Sequence, residues 1–149
     1  MRLVDTNVMI YAHRRDAERH EEYRAWIQAM IDGPEPYAVS DSALTGMVRV
    51  VTNRKIYPRV PATIDEALEF AGRIRNQPHA HVVSPGPAFW GIFSGLCRQV
   101  NARAKLVPDA YLAALAIEHG CEVITTDRDF RRFPGLRWRH PLNQPQPAR

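Results

Sequence analysis

The sequence predicts a single α/β domain in which a mostly parallel sheet carries helices on both faces. Short apolar segments with the character of strands alternate with longer segments of helical periodicity along the chain, and this alternation is typical of parallel α/β folds. The length of 149 residues suits one domain. A hydrophobic fraction of 45% and a charged fraction of 24% exclude an intrinsically disordered chain.

The first part of the chain predicts a strand, two helices and a second strand. The first strand is apolar and ends in Asp5, and Thr6 and Asn7 can cap the helix that follows it. The next helix has apolar residues at spacings of three and four, and Gly33 suits a left-handed cap at its end. The two strands are expected at residues 2–5 and 37–39, and the two helices from residue 8 and over 16–31.

Two helices are predicted in the middle of the chain. Ser40 or Ser42 begins the first of them. Thr63 and Glu66 have the spacing of a capping box, so the second helix begins there. We expect its buried face to carry Leu68, Ala71 and Ile74.

The last part of the chain predicts three strands and two further helices. A helix that ends near residue 100 carries Trp90 among its buried aromatic residues. Pro108 opens the next helix, where its missing N–H is not needed, and Gly120 ends it. The three strands are expected over 81–83, 121–126 and 136–139. We place the domain at residues 1–142 and a loose tail at 143–149.

Charge, cysteine content and hydropathy narrow the classes of protein. The net charge is +4, and all of the 20 basic residues except Lys55 and Lys105 are Arg, which binds phosphate in a bidentate manner. This balance indicates a polyanionic partner, but a biased genome composition accounts for it equally well. No apolar run is long enough for a membrane span or a signal peptide. Two cysteines without a pairing pattern then favour the cytoplasm.

Three acidic residues fall where parallel α/β folds bind ligands, beyond the carboxyl ends of strands. Asp5 and Asp127 each end an apolar strand, Asp109 lies in the first turn of a helix, and Asp129 follows two residues after Asp127. Each of them also has an ordinary role as a helix cap or turn residue. If they converge, their repulsion calls for a cation, and ligands that are all oxygen favour Mg²⁺ or Mn²⁺ over Zn²⁺.

The order and spacing of three motifs resemble those of PIN-domain ribonucleases, in particular the VapC-type toxins of bacterial toxin–antitoxin pairs. The motifs are VDTN at 4–7, PDAYLAALA at 108–116 and TTDRDF at 125–130, and the resemblance extends to about residue 140. It implies a three-layer α/β/α sandwich and a cytoplasmic, metal-dependent endoribonuclease that is often a homodimer. It also implies a VapB-type antitoxin as the partner that blocks the active site.

Carried over residue by residue, the resemblance implies a metal site of four carboxylates with two hydroxyls beside it. The catalytic acids and metal ligands would be Asp5, Asp109 and Asp127, with Asp129 as a fourth ligand. The hydroxyls of Thr125 and Thr6 would orient water or a carboxylate. Mg²⁺ is the expected cofactor, with Mn²⁺ as a substitute, and a water activated by the metal is the expected nucleophile.

Two arginine-rich groups are candidates for RNA binding, because an acidic pocket repels phosphate and a separate basic surface must hold the substrate. The first consists of Arg128, Arg131, Arg132, Arg137 and Arg139, and the second of Arg49, Arg54, Lys55 and Arg59 with Tyr57 between them. Arginines interleaved with an aromatic residue suit single-stranded RNA. A solvated basic face is the alternative for each group.

One position departs from the pattern of the family. Members usually carry Glu in the helix after the second strand, and Gly46 stands at that place. Asp41, five residues earlier, lies about 140° round the helix and is a poor direct replacement. A catalytically weak module that binds RNA or a partner is therefore the alternative function. A phosphotransferase with a nucleophilic Asp is disfavoured, because Asn7 stands where its second Asp would be.

Overall fold

A computed structural model describes residues 1–143, which contain a five-stranded sheet in which every pair of neighbours is parallel. The strand order is β3-β2-β1-β4-β5. The strands are β1 (Arg2–Val4), β2 (Tyr37–Val39), β3 (Ala80–Val82), β4 (Glu122–Ile124) and β5 (Trp138–Arg139). The predicted parallel sheet is confirmed.

Six α-helices form two groups around this sheet in the described part of the chain. They are α1 (Thr6–His13), α2 (His20–Asp32), α3 (Asp41–Val51), α4 (Ile64–Arg75), α5 (Phe89–Val100) and α6 (Leu106–His119), and a 3₁₀ helix covers Arg128–Arg132. Helix α1 contacts both α2 and α3, α3 contacts α4, and α5 packs against α6. The result is a three-layer α/β/α arrangement, as expected. No helix among the described residues is long and apolar enough to span a membrane.

The core lies along the central strands, whose side chains are apolar on both faces. Leu3, Tyr37 and Val123 are fully buried, as parallel strands covered by helices require. The one polar group among them is satisfied, since the Tyr37 hydroxyl donates to the carbonyl of Ile74 at 2.5 Å. This hydrogen bond ties β2 to the end of α4.

The strand order reverses direction between β1 and β4. The chain runs from β1 outward to β2 and β3, then returns to the other side of β1 to form β4 and β5. Pairing continues past the end of β1, where the Asp5 amide donates to the Ile124 carbonyl at 2.9 Å. Such a reversal leaves a crevice beyond the carboxyl ends of the two strands, and this crevice holds the site described below.

Several predicted boundaries are wrong, each for a local reason. Helix α2 begins at His20 because the residues before it form turns that end with Arg19 in the left-handed region, at φ 59°. Gly33 has φ −74° and ψ 162°, because Pro34 favours an extended residue before it. Helix α6 begins two residues before Pro108, whose missing N–H still belongs to the unpaired first turn.

Two predicted core residues are on the surface. Leu68 is 53% exposed and Trp90 is 70% exposed, since α4 and α5 each bury a narrower stripe than their apolar content indicates. The capping box of α4 is confirmed, with the Glu66 amide donating to Thr63 Oγ1 at 3.2 Å and the Thr63 amide donating to Glu66 Oε2 at 3.3 Å. The predicted tail lies outside the described residues except for Asn143.

Candidate active site

Asp5 caps a helix and faces the crevice at the same time. It is the N-cap of α1, and its Oδ1 accepts the Thr6 amide at 2.7 Å. Its Oδ2 accepts the Thr125 hydroxyl at 2.8 Å. One carboxylate oxygen therefore caps the helix, and the other accepts the hydroxyl at the end of β4.

Thr125 links the ends of β1 and β4. It is fully buried, and its Oγ1 accepts the Asp127 amide at 3.0 Å and the Asn7 side-chain amide at 3.4 Å. The side-chain oxygen of Asn7, Oδ1, in turn accepts the Thr126 amide at 3.4 Å. Asn7, which was expected only as a helix cap, therefore holds the third motif against the first. Its position in the first motif was the one feature of the sequence that could have indicated this role.

The hydroxyl of Thr6 does not point to the acids. It donates to the Ala43 carbonyl of α3 at 2.9 Å, so it joins α1 to α3. Thr6 reaches the site through its backbone amide on Asp5, and not through its hydroxyl as the resemblance implies.

Asp127 repeats the arrangement of Asp5 at the end of β4. It is the N-cap of the 3₁₀ helix, and its Oδ1 accepts the Asp129 amide at 2.9 Å. Its Oδ2 accepts a hydrogen bond from the ammonium group of Lys105. The turn geometry of the third motif therefore directs one oxygen of this carboxylate into the crevice.

Lys105 connects three of the four predicted acids. Besides its bond to Asp127, its Nζ lies 3.7 Å from Asp129 Oδ2 and 3.9 Å from Asp109 Oδ2. No motif marks this lysine, and only its position one helical turn before Asp109 indicates that it can reach the site. The structure thus places a positive charge among carboxylates that would otherwise repel one another.

The negative charge of Asp109 is the least compensated in the cluster. Its Oδ2 is buried and accepts no hydrogen bond. Burial, followed by the charge of Asp5, raises the pKa of the Asp109 carboxyl to about 7. Burial also raises the pKa of Asp5, helped by the charge of Asp127 and opposed by the hydrogen bonds from Thr125 and Thr6. The charge of Lys105 acts to lower the pKa of both carboxyls, but burial outweighs it in the inner part of the site.

In the outer part of the site, around Asp127, hydrogen bonds outweigh the effect of burial on the pKa. Burial acts to raise the pKa of Asp127, but the hydrogen bonds from Lys105 and from the Asp129 amide outweigh it and lower that pKa. The same hydrogen bond raises the pKa of Lys105. Within residues 1–143, no three acidic, histidine or cysteine side chains already stand in a metal-binding arrangement. The carboxylates are gathered around an ammonium group instead.

A cavity of about 490 Å³ opens beside Asp5 and Asp109, between α3 and the first turn of α6. Gly46 of α3 lies on its wall, and a Cβ at this position would stand 3.2 Å from Thr6 Oγ1. Asp41 does not replace the missing Glu of the family, because Arg75 holds its carboxylate at 2.7 Å on the exposed side of α3.

The basic residues after the third motif separate into two places. Arg128, Arg131 and Arg132 lie exposed on the 3₁₀ helix that Asp127 caps. Arg137 donates to the Gly120 carbonyl at 2.9 Å and Arg139 pairs with Glu122 at 2.8 Å, both next to the start of β4. Only the first three lie on the 3₁₀ helix that Asp127 caps, so the five arginines do not form a single cluster. Their role in RNA binding stays a prediction.

The second basic group is looser than expected. Arg54 and Lys55 are exposed in the turns after α3. Tyr57 does not stand free between them, because the guanidinium of Arg14 lies over its ring at 3.8 Å from the centroid. Their role in RNA binding stays a prediction.

The PIN domain family model matches residues 2–136. The chain is a PIN domain. Ribonuclease VapC43 of Mycobacterium tuberculosis is 38% identical to this PIN domain over 143 residues, which cover 96% of this chain and 97% of the relative. Ribonuclease VapC25 of the same organism is 36% identical over 137 residues, with coverage of 92% and 96%.

Solved structures support the fold of this PIN domain. VapBC2 from Rickettsia felis, bound to a DNA fragment from its promoter, matches with a TM-score of 0.65 at 15% identity, over 93% of this chain and 97% of that chain. VapC20 of Mycobacterium tuberculosis, a sarcin–ricin loop cleaving toxin, matches with a TM-score of 0.64 at 19% identity, over 92% and 99%. At these identities the likeness shows the architecture alone.

Proposed function

We propose that this PIN domain is a metal-dependent endoribonuclease and the toxin of a VapBC-type toxin–antitoxin pair. The observation that carries the proposal is the meeting of Asp109, Asp127 and Asp129 around one ammonium group at the reversal point of the sheet. Asp5 is joined to the same place through the Thr125 hydroxyl, which donates to Asp5 and accepts the Asp127 amide. The relatives at 36–38% identity over nearly the whole chain are named ribonucleases. Both facts favour RNA hydrolysis over a module that only binds.

The four carboxylates fit a hard divalent cation, Mg²⁺ or its substitute Mn²⁺. All donors are oxygens, which these ions prefer, and the buried Oδ2 of Asp109 has no hydrogen-bond partner. Asp5, Asp109 and Asp127 would hold the ion, with the more exposed Asp129 as a fourth ligand. The ion would supply the lowered pKa of a bound water and stabilise charge on the phosphodiester.

The residues around the acids have separate tasks in this proposal. Thr125 and the Thr6 amide fix both oxygens of Asp5, so this carboxylate cannot rotate away from the crevice. Asn7 keeps β4 in register with the start of α1. Lys105 neutralises Asp127 without a metal, and it would release Asp127 Oδ2 if that oxygen became a ligand of the ion. Its exposed side chain is then free to contact the phosphate of the substrate.

The charges of the site also indicate how an antitoxin and an RNA substrate would bind. A VapB-type antitoxin would inhibit the site by inserting a basic side chain among the carboxylates, most effectively an Arg, whose planar fork pairs with carboxylates in a bidentate manner. Homodimer formation and a cytoplasmic location are part of the proposal, carried by the family resemblance. Arg128, Arg131 and Arg132 beside the acids, and Arg54 and Lys55 after α3, are the proposed RNA contacts.

The proposal is tested by sequencing RNA 5′ ends after brief expression of the protein, followed by cleavage assays of the mapped RNA in vitro. The wild type should create new 5′ ends and should need Mg²⁺ or Mn²⁺. Asp5→Asn should abolish them, whereas Asp65→Asn, an exposed acid in the first turn of α4, should cleave normally. Wild-type cleavage by Asp5→Asn, or full cleavage in EDTA, would refute the mechanism. Normal RNA binding without cleavage would favour the binding module.

A further inference from the structure

We propose that the cavity beside Asp5 and Asp109 holds one nucleotide of single-stranded RNA next to the phosphate that is cut. Its base would lie against Tyr111 and its own phosphate against Arg49. The volume of about 490 Å³ falls in the range of about 300–1,000 Å³ that is usual for small-ligand sites. The inference rests on the proposed function, because it assumes that the acids act on RNA.

The cavity is continuous with the carboxylates. Asp5 and Asp109 belong to its wall together with Arg49 and Tyr111. A chain whose phosphate lies at the acids therefore has its neighbouring nucleotide at the opening of this cavity. No other cavity described in residues 1–143 is lined by two of the four acids.

Gly46 keeps this space open. A Cβ there would already stand 3.2 Å from Thr6 Oγ1, and that oxygen is fixed by its hydrogen bond to the Ala43 carbonyl. A long side chain at this position would have to turn away from Thr6, toward the cavity. With glycine, the wall is bare backbone held rigidly between α1 and α3.

Arg49 supplies the positive charge that the cavity needs. It lies three residues after Gly46 on α3, its side chain is exposed, and it lines the cavity. Within residues 1–143 it takes part in none of the ion pairs, unlike Arg75 or Arg139. A guanidinium that is not already paired is available for a phosphate oxygen, which it binds in a bidentate manner.

Tyr111 offers an aromatic surface in a fixed orientation. Its ring packs edge-on against Phe89 at 4.8 Å and an interplanar angle of 62°, and against Phe93 at 6.4 Å and 68°. These two contacts hold the ring in place, and Tyr111 also lines the cavity. A ring ordered in advance loses little entropy when a base stacks on it, and such stacking is independent of base identity to a first approximation.

A basic peptide segment is the competing occupant, since the cavity also contains two carboxylates. Arg49 disfavours a segment that brings several positive charges into the cavity, by like-charge repulsion, whereas the single basic side chain proposed for the antitoxin would lie at the acids. An arginine next to an aromatic ring is instead the combination that single-stranded nucleic acid uses. The structure therefore favours RNA.

The test is equilibrium binding in EDTA, measured by fluorescence anisotropy with labelled RNA decamers of A, U or C and with an abasic decamer of the same backbone. The wild type should bind the base-carrying decamers at least about ten-fold more tightly than the abasic one. Tyr111→Leu should remove this preference, and Arg49→Gln should weaken binding of all decamers to a similar extent. Trp90→Leu and Arg98→Gln, exposed residues of α5 that do not line the cavity, should behave as the wild type.

A second variant, Ser42→Leu, tests the cavity if Tyr111→Leu does not fold. Ser42 is exposed on α3 and lines the cavity. A leucine there should fill the space and also remove the preference for bases. Equal wild-type affinity for abasic and base-carrying RNA, or a preference that survives in Ser42→Leu, would overturn the inference. So would an oligoarginine peptide that binds the wild type and loses affinity in Ser42→Leu while RNA does not. Preference for bases without cleavage would refute the proposed function and leave the nucleotide site standing.

Discussion

Replacing Asp109 by Asn should stabilise the metal-free protein, and the gain should grow as the pH rises. The buried Oδ2 of Asp109 accepts no hydrogen bond, and burial with the charge of Asp5 raises the pKa of this carboxyl from 3.8 to about 7. The folded protein therefore binds the proton of Asp109 more tightly than the unfolded chain does. Stability is consequently lost as the pH rises between these two values.

The size of the effect follows from the pKa and from the neighbours of Asp109. An increase from 3.8 to about 7 corresponds to a ceiling of about 4 kcal/mol, at about 1.4 kcal/mol for each pH unit. The change will be smaller, because Asp5, Asp127, Asp129 and Lys105 titrate together with Asp109. We expect the difference in unfolding free energy between Asp109→Asn and the wild type to increase by about 1–3 kcal/mol from pH 5 to pH 8.5.

Urea denaturation in EDTA, followed by circular dichroism at both pH values, measures this difference. Glu69→Gln, an exposed acid in the middle of α4, is the control and should give the same small difference at both. Adding Mg²⁺ at pH 8.5 should stabilise the wild type and narrow its gap to Asp109→Asn, because a ligand that binds only the folded state stabilises it. A gap that is constant with pH, or larger at pH 5, would refute the reasoning.

Substitutions at Lys105, at three arginines and at Gly46 test other parts of the site. Lys105→Met should lower the Mg²⁺ concentration for half-saturation in calorimetry several-fold, because a metal no longer displaces an ammonium from the carboxylates; weaker Mg²⁺ binding would show instead that the lysine supports the ion. Removing the charges of Arg131 and Arg132 should reduce the salt dependence of RNA binding by about 0.7 for each lost phosphate contact. Arg139→Gln should leave the salt dependence of RNA binding unchanged. Equal slopes for the Arg131, Arg132 and Arg139 variants would contradict this placement of the RNA. Gly46→Glu should lower the Mg²⁺ concentration for half-maximal cleavage by about ten-fold, and a higher concentration would mean that crowding at this helix outweighs the added carboxylate.

The fold and the acids were predictable because they depend on local patterns that many residues share. Alternation of strands and helices specifies a parallel sheet. The ends of β1 and β4 then place Asp5 and Asp127 at one edge, whichever helix boundaries are correct. The errors at His20 and Gly33 moved boundaries and left this edge unchanged.

Lys105 and Asn7 were not predictable in the same way, because their roles depend on contacts between distant segments. The reach of Lys105 depends on the turn before α6, where Asn101 and Ala104 adopt φ values of 50° and 48°. Asn is enriched in the left-handed region but Ala is not, so the residue types indicate only half of this turn. The exposure of Leu68 and Trp90 was missed for a related reason. Periodicity identifies an apolar face but not how much of it the neighbouring helix covers.

The strand order also determines when the acids can meet during synthesis of the chain. Thr125 and Asp5, which are joined by a hydrogen bond, are 120 positions apart in sequence. A nascent chain that has just completed α6 carries Asp5 and Asp109, but β4 does not yet lie beside β1. Contacts of such long range form late. The nascent chain therefore lacks the assembled carboxylate cluster until nearly the entire domain has been made.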